Sequence, residues 1–174
     1  MEGKAVSLRV AEREDLPIIG EWRNNLAFQG EHNLLIQEPR VELEKRYDGF
    51  RPDEKWFLIE KKDGAKIGLV VLELEGGVQE IGYGIIPKER GKGYGTEAAK
   101  IIVDYLFLSK PIARIQAHTG VKNWASQRVL EKTDFVREGT VRKRIFVRGE
   151  WRDEFLYSIL REEWKEPKIL TKIV

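Results

Sequence analysis

Three glycines at alternate positions, Gly91, Gly93 and Gly95, stand between a run that reads as a β-strand and a run that reads as a helix. The stretch is PKERGKGYGTEAAK, residues 87–100; VQEIGYGII precedes it and TEAAKIIVDYLFL carries on from it. Each glycine costs roughly 0.5–1 kcal/mol of backbone entropy relative to alanine in a regular element. A loop built this way serves a left-handed backbone or a ligand lying against bare main chain. Strand, glycine loop and helix N-terminus together make an anion site, because free N–H groups and the positive end of the helix dipole converge there. Arg90 and Lys92 add positive charge at its rim. The competing reading is a surface turn that is simply rich in glycine.

Two common phosphate motifs fit poorly. The Walker spacing GxxxxGK[ST] is absent. GYGTEA, residues 93–98, matches the GxGxxA form of the dinucleotide fingerprint. However, Pro87 to Lys92 separate it from the strand, and no acidic residue follows about 20 positions on in a second βαβ unit.

Composition removes further classes. The 174 residues suit one domain over 1–174, with 41% hydrophobic and 34% charged residues pointing to a packed globular chain. A net charge of +2 from 31 basic and 29 acidic residues argues against a dedicated nucleic-acid binder. VRKRIFVR then reads as one solvated face of a strand. There is no cysteine, which excludes disulfides, thiolate metal sites and a cysteine nucleophile. His32 and His118 are the only histidines, so no metal is expected. MEGKAVSLRVAERED carries charges where a signal peptide needs an apolar core, and no run approaches the ~20 apolar residues of a membrane span. The expectation is a cytoplasmic protein with no membrane partner, monomeric or homodimeric.

Periodicity orders the elements. KAVSLRV predicts a first strand, and EREDLPIIGEWRNN a helix with Pro17 in its first turn. Residues 25–40 read as a loop, and VELEKRYDGF as a short helix. KWFLIEK, KIGLVVLELE and VQEIGYGII predict a β-meander joined at KDGA and GG. After the glycine loop and its helix come the strand IARIQAHT, the helix NWASQRVLEKT with Asn123 near its cap, and a strand pair turning around VRGE. The fold class is α/β, with a mixed and largely antiparallel sheet of about seven strands flanked by helices.

RGKGYG, residues 90–95, also fits the [QR]xxGxG spacing of the pyrophosphate loop of the GNAT acetyltransferases. EIGYGIIPKERGKGYGTEAAK, NWASQRVLEK and WRDEFLYSILREEW, in that order, resemble the branch of ribosomal-protein alanine N-acetyltransferases and related spermidine acetyltransferases. LRVAEREDLPIIGEWRNN resembles the first strand and helix of the same branch, so the likeness spans about residues 4 to 164. It implies an acetyl-CoA-dependent N-acetyltransferase whose fourth and fifth strands splay apart. Main-chain amides around Ile85 and Ile86 would then receive the pantetheine arm, with Gly82 and Gly84 permitting close approach. The cofactor loop would comprise Arg90, Gly91, Lys92, Gly93, Tyr94, Gly95 and Thr96. Asn123 would bond the arm, and Ser126 would sit near the sulfur.

The same resemblance exposes two departures. Many relatives carry a tyrosine, acting as acid for the departing thiolate, where this chain has Leu130. A leucine has no proton to give. The acid role therefore moves toward Ser126 or water. The usual glycine-phenylalanine pair reads Asp134-Phe135. Lacking cysteine, the chain implies direct attack by the amine, and Glu80 is the first candidate base, followed by Glu31 and His32. Trp22, Phe28, Tyr83 and Tyr157 are candidates to line the acceptor pocket.

The acceptor expected is a primary amine, an α-amine of a protein, peptide or amino acid, with a polyamine as the alternative. The early loop offers only Glu31 and Glu38 to a polycation, which favours the α-amine. The remaining rivals are a non-catalytic acyl-CoA-binding module and a nucleotide-dependent enzyme built on GYGTEA.

Overall fold

A computed structural model describes residues 1–169. Seven strands form one sheet in the order β1-β2-β3-β4-β5-β7-β6. They are β1 (Val6–Val10), β2 (Lys55–Lys61), β3 (Lys66–Glu75), β4 (Val78–Ile85), β5 (Arg114–Gly120), β6 (Val136–Val147) and β7 (Glu150–Leu160). Every neighbouring pair is antiparallel except β4–β5. Tight two-residue turns join two of the hairpins. Gly76 and Gly77 have φ of 57° and 82°, and Arg148 and Gly149 have 50° and 84°, the double positive φ that matches strand twist.

Two helical layers cover the sheet. On one face lie α4 (Tyr94–Ser109) and α5 (Trp124–Glu131). The apolar stripe Ala98, Ile101, Ile102 and Leu106 of α4 is fully buried against Phe57, Ile81, Ile115 and Ile159. On the other face lie α1 (Leu16–Arg23), α2 (Leu26–Gln29) and α3 (Arg40–Asp48), with Leu16, Ile19, Trp22 and Leu43 packed against Leu58 and Leu69. Buried on both sides, β2 and β3 read as apolar runs rather than as alternating ones. The segment expected to be loop contains the short α2, whose N-cap Asn25 accepts hydrogen bonds from the N–H groups of Ala27 and Phe28. A four-residue helix has no periodicity to read, so sequence pattern missed it.

Asp15 anchors the entry to α1. Its buried carboxylate accepts hydrogen bonds from Arg9 at 2.8 and 3.0 Å and from Lys66 at 2.7 Å, tying β1 and β3 to the helix start. These bonds outweigh the cost of burial and hold its pKa well below the usual carboxylate range.

The feature that positions the site is the β4–β5 seam. It pairs only at Gln79 with Ile115 and Glu80 with Gln116, then opens, as the resemblance implied. Beyond the opening, the C-terminal half of β4 leads to the glycine loop and α4.

Candidate active site

Gly91 and Gly93 both take left-handed backbone, φ 76° and 87°, and a Cβ built on either meets no atom within 4 Å. The glycines are therefore required by conformation and by open space in front of them, not by crowding from the protein. Gly93 is the N-cap of α4, so the first N–H groups of a 16-residue helix face that space. This cradle fits an anionic pyrophosphate. The side chains of the loop do less than the spacing implied. Arg90 turns away from it: its Nε donates to the Ile85 carbonyl at 2.9 Å and its Nη2 to the Ala27 and Phe28 carbonyls at 3.1 and 2.7 Å. Arg90 is thus a clamp on the end of α2, satisfying carbonyls the short helix leaves free. Lys92 stays at the rim in an ion pair with Glu89 at 2.9 Å. Tyr94, Gly95 and Thr96 form the first turn of α4, half-buried.

The ladder decides which β4 amides are free. Ile86 donates its N–H to Ile67 at 2.9 Å, so the alternation of an antiparallel pair turns the amides of Gly84 and Gly82 toward β3 as well. The amides of Tyr83 and Ile85 point the other way, into the open seam. Of the pair expected from the sequence, Ile85 is available and Ile86 is not; Tyr83 is the second free amide. Gly84 also departs from expectation. A Cβ there would meet the Phe28 ring at 2.9 Å, so its bareness makes room for a side chain of this protein, while Gly82 keeps only Val71 at 3.9 Å.

At the head of α5, Asn123 is the N-cap and its Oδ1 accepts the Ser126 N–H at 3.2 Å. Its Nδ2 is left for another partner. The Ser126 Oγ lies 3.0 Å from the Tyr83 hydroxyl, which also lies 3.1 Å from the Ser126 carbonyl. Burial pushes the Tyr83 phenol well above its ordinary pKa, so it keeps its proton. Leu130 is fully buried in the main core. A hydroxyl thus reaches the head of α5 from β4 rather than from the helix itself.

Asp134 ends α5 in a left-handed conformation, φ 65°. Phe135 donates its N–H to the Leu130 carbonyl at 3.0 Å and Asp134 to the Glu131 carbonyl at 3.2 Å, the paired bonds of a Schellman ending. An L-residue pays for that backbone where glycine does not. Asp134→Gly is expected to raise stability by about 0.5–1 kcal/mol, net of the greater unfolded-state freedom of glycine. Thermal unfolding should shift up by roughly 1–3 °C. An unchanged midpoint would mean that the aspartate side chain compensates the strain.

The aromatic residues divide. Phe28 stacks on Trp22 with ring centroids 5.6 Å apart, and only Phe28 faces the β4 glycines. Trp22 is buried behind it, in the smaller core. Tyr83 and Tyr157 lie on the opposite face of the sheet, in the main core; Tyr157 is 1% exposed with its hydroxyl on Glu131. Neither lines a pocket on the α1–α3 side. Strand alternation explains both misplacements: residues of odd parity on β4 and β7 point toward α4 and α5. Glu31 and His32 sit where the early loop crosses the end of β5, with His32 Nδ1 3.9 Å from the Cβ position of Gly120. Arg148 and Arg152 hold that loop by its Gly30 and Glu31 carbonyls at 3.1 and 2.9 Å.

The α1–α3 face of the open seam gathers acids. Glu80 accepts from Gln116 Nε2 at 3.0 Å and lies 3.1 Å from His118 Nδ1. Glu75 lies 3.5 Å from the same imidazole nitrogen and takes Arg144 at 2.7 Å, while Arg144 Nε lies 3.8 Å from Glu154. Glu73 pairs with Glu80 across the β3–β4 ladder. Burial and the Glu80 charge raise the pKa of Glu73, and burial raises that of Glu154. Burial would also raise Glu80, yet the bonds from His118, Glu75 and Gln116 bring it down to about 2. Glu75 is raised in turn by its hydrogen bond to Glu80. Glu80 is consequently a weaker base than the sequence reading supposed. An ionised Glu80 cannot donate, so its bond to His118 needs a proton on Nδ1. No group among the described residues bonds Nε2. His118, Glu73, Glu75, Glu154 and Arg144 were missed because they come from four strands with no shared spacing. The one available signal was the count of acids at alternate positions in LELEGGVQE. Glu75, Glu80 and His118 also lie close enough to hold a cation, but Arg144 already brings a positive charge to that cluster.

The sequence profile of the acetyltransferase (GNAT) domain matches residues 6–136. The chain belongs to the GNAT acetyltransferase family and is an N-acetyltransferase with acetyl-CoA as donor, a group the cradle and open seam accommodate. The probable N-acetyltransferase YjcK of Bacillus subtilis is 29% identical over 177 residues, 94% of this chain and 98% of that protein. Spermidine N(1)-acetyltransferase of Escherichia coli strain K12 is 30% identical over 168 residues, 92% and 88% of the two chains. The crystal structure of spermidine N-acetyltransferase from Vibrio cholerae in complex with CoA and spermine superposes with a TM-score of 0.81 at 28% identity, over 93% of this chain and 99% of that one. No helix among the described residues is long and apolar enough to cross a membrane.

Proposed function

We propose that this enzyme acetylates a primary amine on a polycationic acceptor of the polyamine class. The observation that carries the reading is the group of Glu73, Glu75, Glu80 and Glu154 on one face beside the open seam. Arg144 offsets part of that charge, and the remainder favours an acceptor with more than one ammonium group. The spermidine acetyltransferases among its relatives support the same choice. The early loop contributes little: Glu38 is locked between Arg23 at 3.0 Å and Arg46 at 2.8 Å, and Glu31 is exposed at the cleft mouth.

In this reading the main chain of Gly91, Lys92, Gly93 and Gly95, with Thr96 and Tyr94, holds the pyrophosphate. The amides of Tyr83 and Ile85 and the Asn123 Nδ2 hold the pantetheine arm. Bound acetyl-CoA supplies an activated thioester, and proximity provides much of the rate. The Ser126 hydroxyl, backed by Tyr83, donates a proton to the departing sulfur. On the acceptor side Glu80 orients His118, whose Nε2 receives the amine proton directly or through water.

An α-amine acceptor, as in the ribosomal-protein alanine branch, is the second reading. It is favoured by the weakness of Glu80 as a base, since an α-amine has a pKa of about 7.7–8.0 against 10.4 for an alkylamine. The deciding measurement is kcat/KM for spermidine and for a short peptide with a free N-terminal alanine, with products identified by mass spectrometry. Spermidine is expected to win by at least about tenfold, with an advantage that shrinks as salt rises. A peptide that outperforms spermidine overturns the polyamine assignment.

A further inference from the structure

Both ends of the described chain are fastened to α4 by carboxylates of that helix. Glu97 Oε1 accepts the Ala5 N–H at 2.8 Å, and Gly3 donates its own to the Val6 carbonyl at 2.9 Å. Asp104, fully buried, accepts the N–H groups of Lys168 at 2.9 Å and Ile169 at 2.7 Å and the Trp164 Nε1–H at 2.9 Å. These bonds place Lys4 and Lys168 beside Lys100 of α4 and Lys132 at the end of α5. The four lysines line one cavity of about 620 Å³, whose wall also includes Gly93 and Thr96 of the glycine cradle.

The charge there is unbalanced. Glu2 and Glu97 are the acids of the cavity wall. Glu97 is committed to the Ala5 amide, and Glu2 has Lys62 and Ser7 as partners. Lys4, Lys100 and Lys132 make no ion pair among the described residues, and Lys168 has only Asp134 at 3.7 Å. Clustered ammonium groups repel one another, and an anion shared among them relieves that repulsion. Lysine is a point charge suited to a compact phosphate.

We propose that this cavity binds the 3′-phosphate of the coenzyme's adenosine, so that the enzyme distinguishes CoA from its 3′-dephospho form. The inference rests on the reading of the glycine loop as the pyrophosphate cradle. CoA carries its third phosphate on the ribose next to that pyrophosphate, and the lysine cavity shares Gly93 and Thr96 with the cradle. Selectivity of this kind needs no contact with the acceptor and can be read by binding alone.

The test is calorimetric titration of the full chain with CoA and with 3′-dephospho-CoA at low and moderate salt. CoA is expected to bind at least about tenfold more tightly, equivalent to ~1.4 kcal/mol. The preference should narrow as ionic strength rises. In a Lys132→Gln/Lys168→Gln variant it should fall below about threefold, with dephospho-CoA affinity unchanged. A Lys4→Gln/Lys100→Gln variant should do the same and guards against a local packing effect of the first pair. Equal affinity of the two ligands in the unmodified protein, or a preference that survives both variants, overturns the proposal and leaves the cradle standing. Failure of both ligands to bind overturns the cradle assignment and this site with it.

Discussion

Ser126→Ala is expected to lower kcat on the order of 10²-fold while leaving KM for acetyl-CoA within a few-fold. The thiolate needs a proton as the C–S bond breaks, and Leu130 cannot supply one. The Ser126 hydroxyl lies 3.0 Å from the Tyr83 hydroxyl, a half-buried pair at the open seam. Once Ser126 gives its proton to sulfur, Tyr83 can restore it, because burial keeps that phenol protonated. Tyr83→Phe should therefore also reduce kcat, by about tenfold or more, without a matching rise in KM. The double variant should be no slower than Ser126→Ala alone, since both residues serve one proton path. Steady-state rates of thiol release, under conditions where chemistry limits turnover, check all three. A Ser126→Ala enzyme with unchanged kcat would return the acid role to water. Multiplicative losses in the double variant would separate Tyr83 from that path.

Gly93→Asp is expected to weaken acetyl-CoA binding at least about tenfold, ~1.4 kcal/mol, with the fold retained. The Cβ position at Gly93 meets no protein atom within 4 Å, so nothing inside the chain is displaced. Backbone strain at φ 87° costs an L-residue roughly 1–2 kcal/mol, which a domain with this core withstands. The larger effect falls on the ligand, because a carboxylate is set where phosphate approaches the α4 N-terminus. Gly93→Asn has the same shape without the charge and should lose less. Calorimetry separates the cases, and an unaltered affinity in Gly93→Asp would remove the loop from the cofactor site.

Local spacing was enough for the elements other than the four-residue α2, and for the backbone of the glycine loop. RGKGYG sits between β4 and α4 as read, and the left-handed φ of Gly91 and Gly93 is what glycine at those places implied. The strand pair around VRGE and the GG hairpin followed from turn chemistry that acts over two residues. The parallel β4–β5 contact that then opens was reached through resemblance, because no local pattern encodes where a sheet parts.

Long-range geometry decided the rest. Which β4 amides are free depends on the Ile86–Ile67 hydrogen bond, a matter of ladder register between two strands. Arg90 looked like a phosphate ligand in sequence, but α2 places carbonyls within its reach. Tyr157 and Tyr83 looked like pocket aromatics until strand parity set them on the α4–α5 face. The acids that favour a polycation come from β3, β4 and β7 and meet only when the sheet assembles. A sequence by itself determined the motifs whose chemistry is local to a turn or a helix end, since backbone conformation there depends on adjacent residues. The side chains that share a site were decided by tertiary structure, because their contacts arise from pairing and packing between segments far apart in the chain.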